Sequence, residues 1–229
     1  MRIDKFLSNL KFGTRSEIKD FLKYNEVIVD SIRVLSVSYD IDPDQQVVYL
    51  NKEPIFFKYP LYLAIHKPIG YLSANHDKIY PCVVDLVKAP YDRFDFAIAG
   101  RLDLDAEGLM ILTTDGSFAH RITLPKSHVP KTYEVTLNKA FTHHDALRQG
   151  VMIKDGRNQP FLATALDIES EKEIVKITID EGKFHQIKRM FESVGYLVVK
   201  LKRIKIGKFL LGDLPVGAYR EFRKEEIYD

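Results

Sequence analysis

Along the first quarter of the chain, apolar residues recur every three to four positions. Ile3, Phe6, Leu7 and Leu10 predict one amphipathic helix, with Gly13 as its stop. Thr14 and Glu17 in "TRSE" have the spacing of a capping box, and Ile18, Phe21 and Leu22 carry the apolar stripe of a second helix. "VIVDSIRVL" reads as two short β segments around a turn at Asp30 and Ser31. A polar loop over residues 40–46 leads into "VVYL", a further strand. Residues 1–58 are read as one small helical and hairpin module.

From Tyr59 the pattern changes to short apolar runs of strand length. "YPLYLAIHKPIGYLSA" predicts a strand entering a turn at Pro68 and Gly70. Residues 131–137, 161–169, 173–180 and 196–206 are further strand candidates. Helices are fewer. "THHDALRQ" is short, and "HQIKRMFESV" places Ile187, Met190, Phe191 and Val194 at helical spacing before Gly195. Strands do not alternate regularly with helices, which argues against a doubly wound parallel sheet. The expected fold class is α+β: a small N-terminal helical and hairpin module at 1–58, then a mixed, largely antiparallel sheet domain at 59–229.

Composition narrows the setting. The 229 residues are 45% hydrophobic and 29% charged, the balance of a soluble globular protein. No apolar run is long enough to span a bilayer, and charges interrupt the apolar positions of "MRIDKFLSNLKFG". Neither a membrane anchor nor a signal peptide is expected. Cys82 stands alone, which excludes an intrachain disulfide and fits a reducing cytoplasm; it is expected to be a small buried apolar residue.

The net charge of +2 is uninformative, but its distribution is not. Between Lys183 and Lys208 there are eight basic residues against one acid, Glu192. Arg15, Lys19 and Lys23 recur every four residues beside the second helix's apolar stripe. Such local positive fields suit a polyanion, or serve merely as solvated faces.

The densest chemistry lies in "AGRLDLDAEGLMILTTDG", residues 99–116. Asp103, Asp105, Glu107 and Gly108 imitate the start of a calcium-binding loop, but its twelfth position is Thr114, where a bidentate Glu is required. Leu109 to Leu112 instead read as a buried strand. One cysteine and seven scattered histidines offer no zinc spacing. No metal is expected. The residues alone leave open a purely structural turn, with acids on backbone amides and Arg101 paired to one of them.

Motifs in order along most of the chain carry a resemblance. "RIDKFLS", "TRSEIKDFLKYNEVIVD" and "IRV" resemble the alpha-L type RNA-binding domain named after the fourth small-subunit ribosomal protein. "LAIHKPIGY", "GRLDLDAEGLMILTTDG", "AHRITLPKSHVPKTYEV", "EGKFHQIKRMFESVG" and "RIKIG" resemble pseudouridine synthases of the RsuA branch. Ala106 departs from that family, which commonly has Thr there; the change removes a hydroxyl but no ionisable group.

That resemblance implies isomerisation of uridine to pseudouridine in ribosomal RNA. The bond from sugar to N1 breaks and is remade to C5. No electrons are gained, so no redox cofactor is needed. Asp103 takes the place of the nucleophile, Lys188 that of the cation holding it ionised, and Tyr133 that of the active-site tyrosine. Arg101 matches the arginine that acts when the target base leaves its stack. Arg189, Arg15, Lys19 and Lys23 are expected to grip phosphates. Asp105 and Asp115 match no role and are read as turn or solvent residues.

"EGKFHQIKRM" is closer to the small-subunit form, so the implied partner is 16S ribosomal RNA or a small-subunit assembly intermediate, bound by a monomer. Large-subunit (23S) RNA is the alternative target. A non-catalytic ribosomal RNA-binding assembly factor is the rival from another class; it would have no use for an acid in its RNA cleft.

Overall fold

The computed structural model describes residues 1–228 (the Pro125 side chain apart), and they cluster into two units. The first comprises Met1–Leu61 together with Val87–Phe96; the second comprises Tyr62–Leu86 and the chain from Ala97 onward. The apolar pattern gave no reason to separate residues 87–96 from the second half.

In the first unit, α1 (Ile3–Asn9) and α2 (Ile18–Tyr24) bury Ile3, Phe6, Leu7, Ile18 and Leu22. The first helix stops short of Gly13, because Lys11 already adopts a left-handed φ of 59°. Thr14 and Glu17 form their reciprocal cap: the Thr14 amide and hydroxyl both donate to the Glu17 carboxylate, at 2.7 and 2.8 Å. Regular helix begins only at Ile18, leaving Arg15 in the preceding turn. β1 (Val27–Val29) and β2 (Ile32–Arg33) form the expected hairpin, with Asp30 and Ser31 both at positive φ. β3 (Val48–Leu50) and β4 (Glu53–Pro54) complete an antiparallel sheet in the order β2-β1-β3-β4. The Val87–Phe96 segment packs here: Phe94 lies beside Phe56 and Phe57, and the Arg93 guanidinium sits 4.3 Å over the Phe12 ring.

The second unit is built on β5 (Tyr62–Lys67), β6 (Ala97–Ala99), β7 (Glu107–Thr113), α3 (Gly116–Thr123), β8 (Lys131–Leu137), α4 (His144–Gln149), β9 (Val151–Lys154), β10 (Pro160–Ala163), β11 (Asp167–Glu171), β12 (Ile174–Ile179), α5 (Gln186–Ser193), β13 (Val198–Ile206), β14 (Phe209–Leu210) and β15 (Tyr219–Glu221). The main sheet runs β11-β12-β8-β13-β7-β5-β15, with β14 on β13 and β6 on β7. Every pairing in it is antiparallel except β13 with β7. The run read as one strand over 161–169 is two: β10 pairs β9 in a separate hairpin, while β11 joins the main sheet. α3, absent from the sequence reading, packs Phe118, Ala119 and Ile122 against Leu109, Ile111 and Phe222. Cys82 is buried and free. Among the described residues, no helix is long and apolar enough to cross a membrane.

The single parallel join fixes the position of everything that follows. Arg203 of β13 pairs with Gly108 of β7. Gly108 has a φ of 117°, and a Cβ placed on it would lie 2.3 Å from the Arg203 carbonyl oxygen. Only glycine lets the two backbones meet there. The acidic loop, residues 100–106, connects β6 to β7 at this join.

Candidate active site

A cleft of about 230 Å³ opens at the join, within the second unit. Asp103 and Arg101 from the acidic loop, Lys131 and Tyr133 from β8, His185 before α5, and Arg203 from β13 all line it. Two turns of sequence logic bring them together. Lys131 and Tyr133 are two apart on a strand whose burial alternates, so they share its inward face. His185 and Lys188 stand at and within the start of α5, one turn apart.

The acidic loop is held by bonds to its backbone. Arg203 is fully buried; its Nε donates to the Leu109 carbonyl at 2.7 Å and a terminal nitrogen donates to Gly100 at 2.6 Å. Lys67, equally buried, donates to the carbonyls of Ala106 and Pro68 at 2.7 and 2.9 Å. The Ser73 hydroxyl accepts from the Leu102 amide and donates to its carbonyl. The Gly70 amide donates to Leu104. A loop so tied presents Asp103 in one place before any ligand arrives, which is what electrostatic preorganisation requires. Ala106 is buried and contributes through its backbone, accepting from Lys67 and donating to Asp103.

Lys188 lies 3.4 Å from Asp103 Oδ2, and both side chains are partly buried. Its hydrogen bonds, however, go to Asp105, at 2.6 and 2.8 Å. The Lys188 contact holds the Asp105 carboxyl below its ordinary range, against a burial effect that works to raise it. Asp105 was read as a turn or solvent residue; it is the second carboxylate on the same ammonium. Asp115 does serve a turn: it caps α3 by accepting from the Phe118 amide at 2.9 Å, and also accepts from the Tyr62 hydroxyl.

Tyr133 is buried along the cleft wall, with the Arg203 guanidinium 6.0 Å from its ring centre. Burial, reinforced by the Arg203 charge, pushes the Lys131 ammonium down to about 8; it donates to the Val129 carbonyl at 2.7 Å. Arg101 is exposed at the mouth. Arg189 is already engaged: its guanidinium donates to the carbonyls of Lys154 and Asp155 and lies 5.1 Å from the Phe184 ring. In the first unit, Arg15 pairs with buried Asp4 at 3.0 Å, Lys23 pairs with Asp20 at 2.7 Å, and Lys19 is exposed.

Sequence reasoning missed Lys131, His185 and Arg203 as parts of the cleft. Arg203 was counted with the basic run expected on the surface; it is buried and spent on carbonyl oxygens. The available signal was parity, since Arg203 is two residues beyond buried Leu201 on the same strand.

Comparison with known proteins identifies relatives over both units. A family model described as RNA pseudouridylate synthase matches residues 61–193, and an S4 domain model matches residues 1–47. The chain is 41% identical to an uncharacterized RNA pseudouridine synthase, YtzG, of Bacillus subtilis, covering 100% of this chain and 97% of that protein. It is 36% identical to ribosomal small subunit pseudouridine synthase A of Pasteurella multocida and 35% to that of Escherichia coli, each covering 99% of this chain and 98% of the relative. A crystal structure of a pseudouridylate synthase superposes with a TM-score of 0.67 at 35% identity, covering 99% of this chain and 98% of the other.

Proposed function

The chain belongs to the RNA pseudouridylate synthase family, and on that premise we propose that its substrate is a uridine of small-subunit (16S) ribosomal RNA. The reaction is an isomerisation. What supports the target is the near full-length likeness to two ribosomal small subunit pseudouridine synthases. What supports the roles is one arrangement: a carboxylate beside an ammonium, on a tethered loop, facing a tyrosine across a cleft.

In this reading Asp103 is the nucleophile that separates and rejoins sugar and base. The Lys188 ammonium sets a positive charge 3.4 Å from its Oδ2. Tyr133 offers a ring for the base to lie against and a hydroxyl within the same cleft. Arg101, exposed at the cleft mouth, would fill the space a flipped uridine vacates or hold its phosphate. The S4 module supplies affinity for RNA through exposed Lys19 and its neighbours. Arg15, Lys23 and Arg189 would reach phosphate only by exchanging their present partners. A ribosomal RNA enzyme of this kind works in the cytoplasm, as a monomer and without a metal or cofactor.

The test is a map of pseudouridines in ribosomal RNA from cells with and without the protein. One position lost from 16S RNA is expected. A position lost from 23S RNA would overturn the target, and an unchanged map would favour an assembly factor.

A further inference from the structure

Asp103 meets a different partner on each of its carboxylate oxygens. Lys188 approaches Oδ2, while His185 Nε2 stands 3.5 Å from Oδ1. The two differ in commitment. Lys188 gives its short hydrogen bonds to Asp105 and reaches Asp103 only at longer range. His185 is turned to Oδ1 by a constrained local structure.

That structure is specific. His185 occupies the left-handed region at φ 51°, an unfavourable conformation for a residue with a side chain, directly before α5. Its ring lies against Phe184, with centroids 3.7 Å apart and planes within 19°. Phe184 is 53% exposed, so burial alone does not account for an aromatic there. The Arg189 guanidinium flanks Phe184, and Arg189 is itself tied to the Lys154 and Asp155 carbonyls at the end of β9. The His185 carbonyl accepts from the Arg189 amide at 3.0 Å. Backbone, stacking and the Arg189 tie together leave the imidazole little freedom.

We infer that His185 is a positioning residue for Asp103: its Nε2–H steadies Oδ1 and fixes the rotation of the carboxylate towards the cleft. The inference rests on Asp103 being the nucleophile. At 3.5 Å the contact is long for a hydrogen bond, as catalytic contacts often are before substrate closes the site. Lys188 then supplies positive charge beside the carboxylate, and His185 keeps it aimed. Misaiming a reacting atom by about 1 Å costs on the order of 10²-fold in rate.

Two measurements on the full-length protein test this. The first needs no activity. In ¹⁵N-labelled protein, Asp103→Asn is expected to move the Nε2 resonance of His185; an unmoved resonance would overturn the contact. The second follows pseudouridine formation in a 16S transcript. His185→Leu is expected to lower kcat by about 10²-fold while RNA affinity stays within about twofold. His185→Gln, whose side-chain amide can reach Oδ1, is expected to recover to within about fivefold of wild type. Phe184→Leu, which removes the stack, is expected to give an intermediate kcat. Weakened RNA binding with unchanged kcat would make His185 an RNA contact and overturn the inference, as would equal losses in the Leu and Gln variants. If wild-type protein leaves the 16S transcript unmodified, the target assignment is what fails, and the resonance measurement still decides the contact.

Discussion

At the residue scale, the two carboxylates on Lys188 are not equivalent. Asp103 is 29% exposed at the side chain and faces the cleft, whereas Asp105 is 69% exposed. Asp103→Asn keeps the shape and removes the charge, and is expected to lower turnover by at least about 10⁴-fold in a tritium-release assay. Asp105→Asn leaves Lys188 to Asp103 alone and is expected to hold turnover within about threefold. Equal losses in the two variants would reassign the nucleophile. Lys188→Met is expected to cost about 10²-fold, in kcat more than in KM. Burial also pushes the ammonium groups of Lys67 and Lys131 from 10.5 down to about 8. Between those values the unfolded chain binds more protons than the native one, so these lysines make stability rise with pH through that window. The largest contribution is on the order of 3 kcal/mol each. Urea unfolding at pH 7.5 and pH 10 is therefore expected to show the advantage of wild type over Lys131→Met growing at the higher pH. A constant difference would mean that the ammonium is already well solvated. Asp103, Lys188 and Tyr133 were readable as candidates through the resemblance of short motifs. The Asp105 contact was not, because nothing local relates residue 105 to residue 188.

At the element scale, the sequence made most strands and helices visible and hid their partners. "KTYEVTL" spans β8 over the same seven residues, 131–137, because its apolar alternation matches a sheet with one buried face. The run from 161 to 169 kept an apolar content suited to strand while the chain passed between two sheets, so the break could not be read locally. α3 escaped because Gly116 opens it, although Asp115 three residues before Phe118 was a cap signal. The β7–β13 join was likewise invisible, since Gly108 and Arg203 are 95 positions apart along the chain. It yields a sharp expectation. Gly108→Ala forces a side chain into the facing backbone at an unfavourable φ and is expected to destabilise the protein by about 3 kcal/mol or more, read as a lowered thermal midpoint. Gly116→Ala, where a Cβ meets nothing within 4 Å, is the matched control and is expected to be neutral or mildly stabilising.

At the scale of the whole molecule, the near-neutral net charge conceals separate basic regions. Affinity for a 16S fragment is expected to fall steeply as salt rises from 50 to 200 mM, by about 10²-fold or more if several phosphates are engaged. A flat response in a filter-binding titration would reject phosphate gripping as the main source of affinity. The general plan, an S4-type module followed by a mixed sheet domain, was legible from motif order. The excursion of Val87–Phe96 was not: its aromatic residues looked no different from those of a loop over the second unit's own core. Yet that excursion makes the backbone pass between the two units three times, after Leu61, after Leu86 and before Ala97. A protease nicking the chain once near residue 61 would therefore sever residues 1–61 from the rest covalently, yet leave them packed on Val87–Phe96, which the other two passages keep tethered to the second unit. The same threading means that this RNA-docking unit could not be copied into another gene as a single uninterrupted stretch without leaving Phe56 and Phe57 stripped of Phe94.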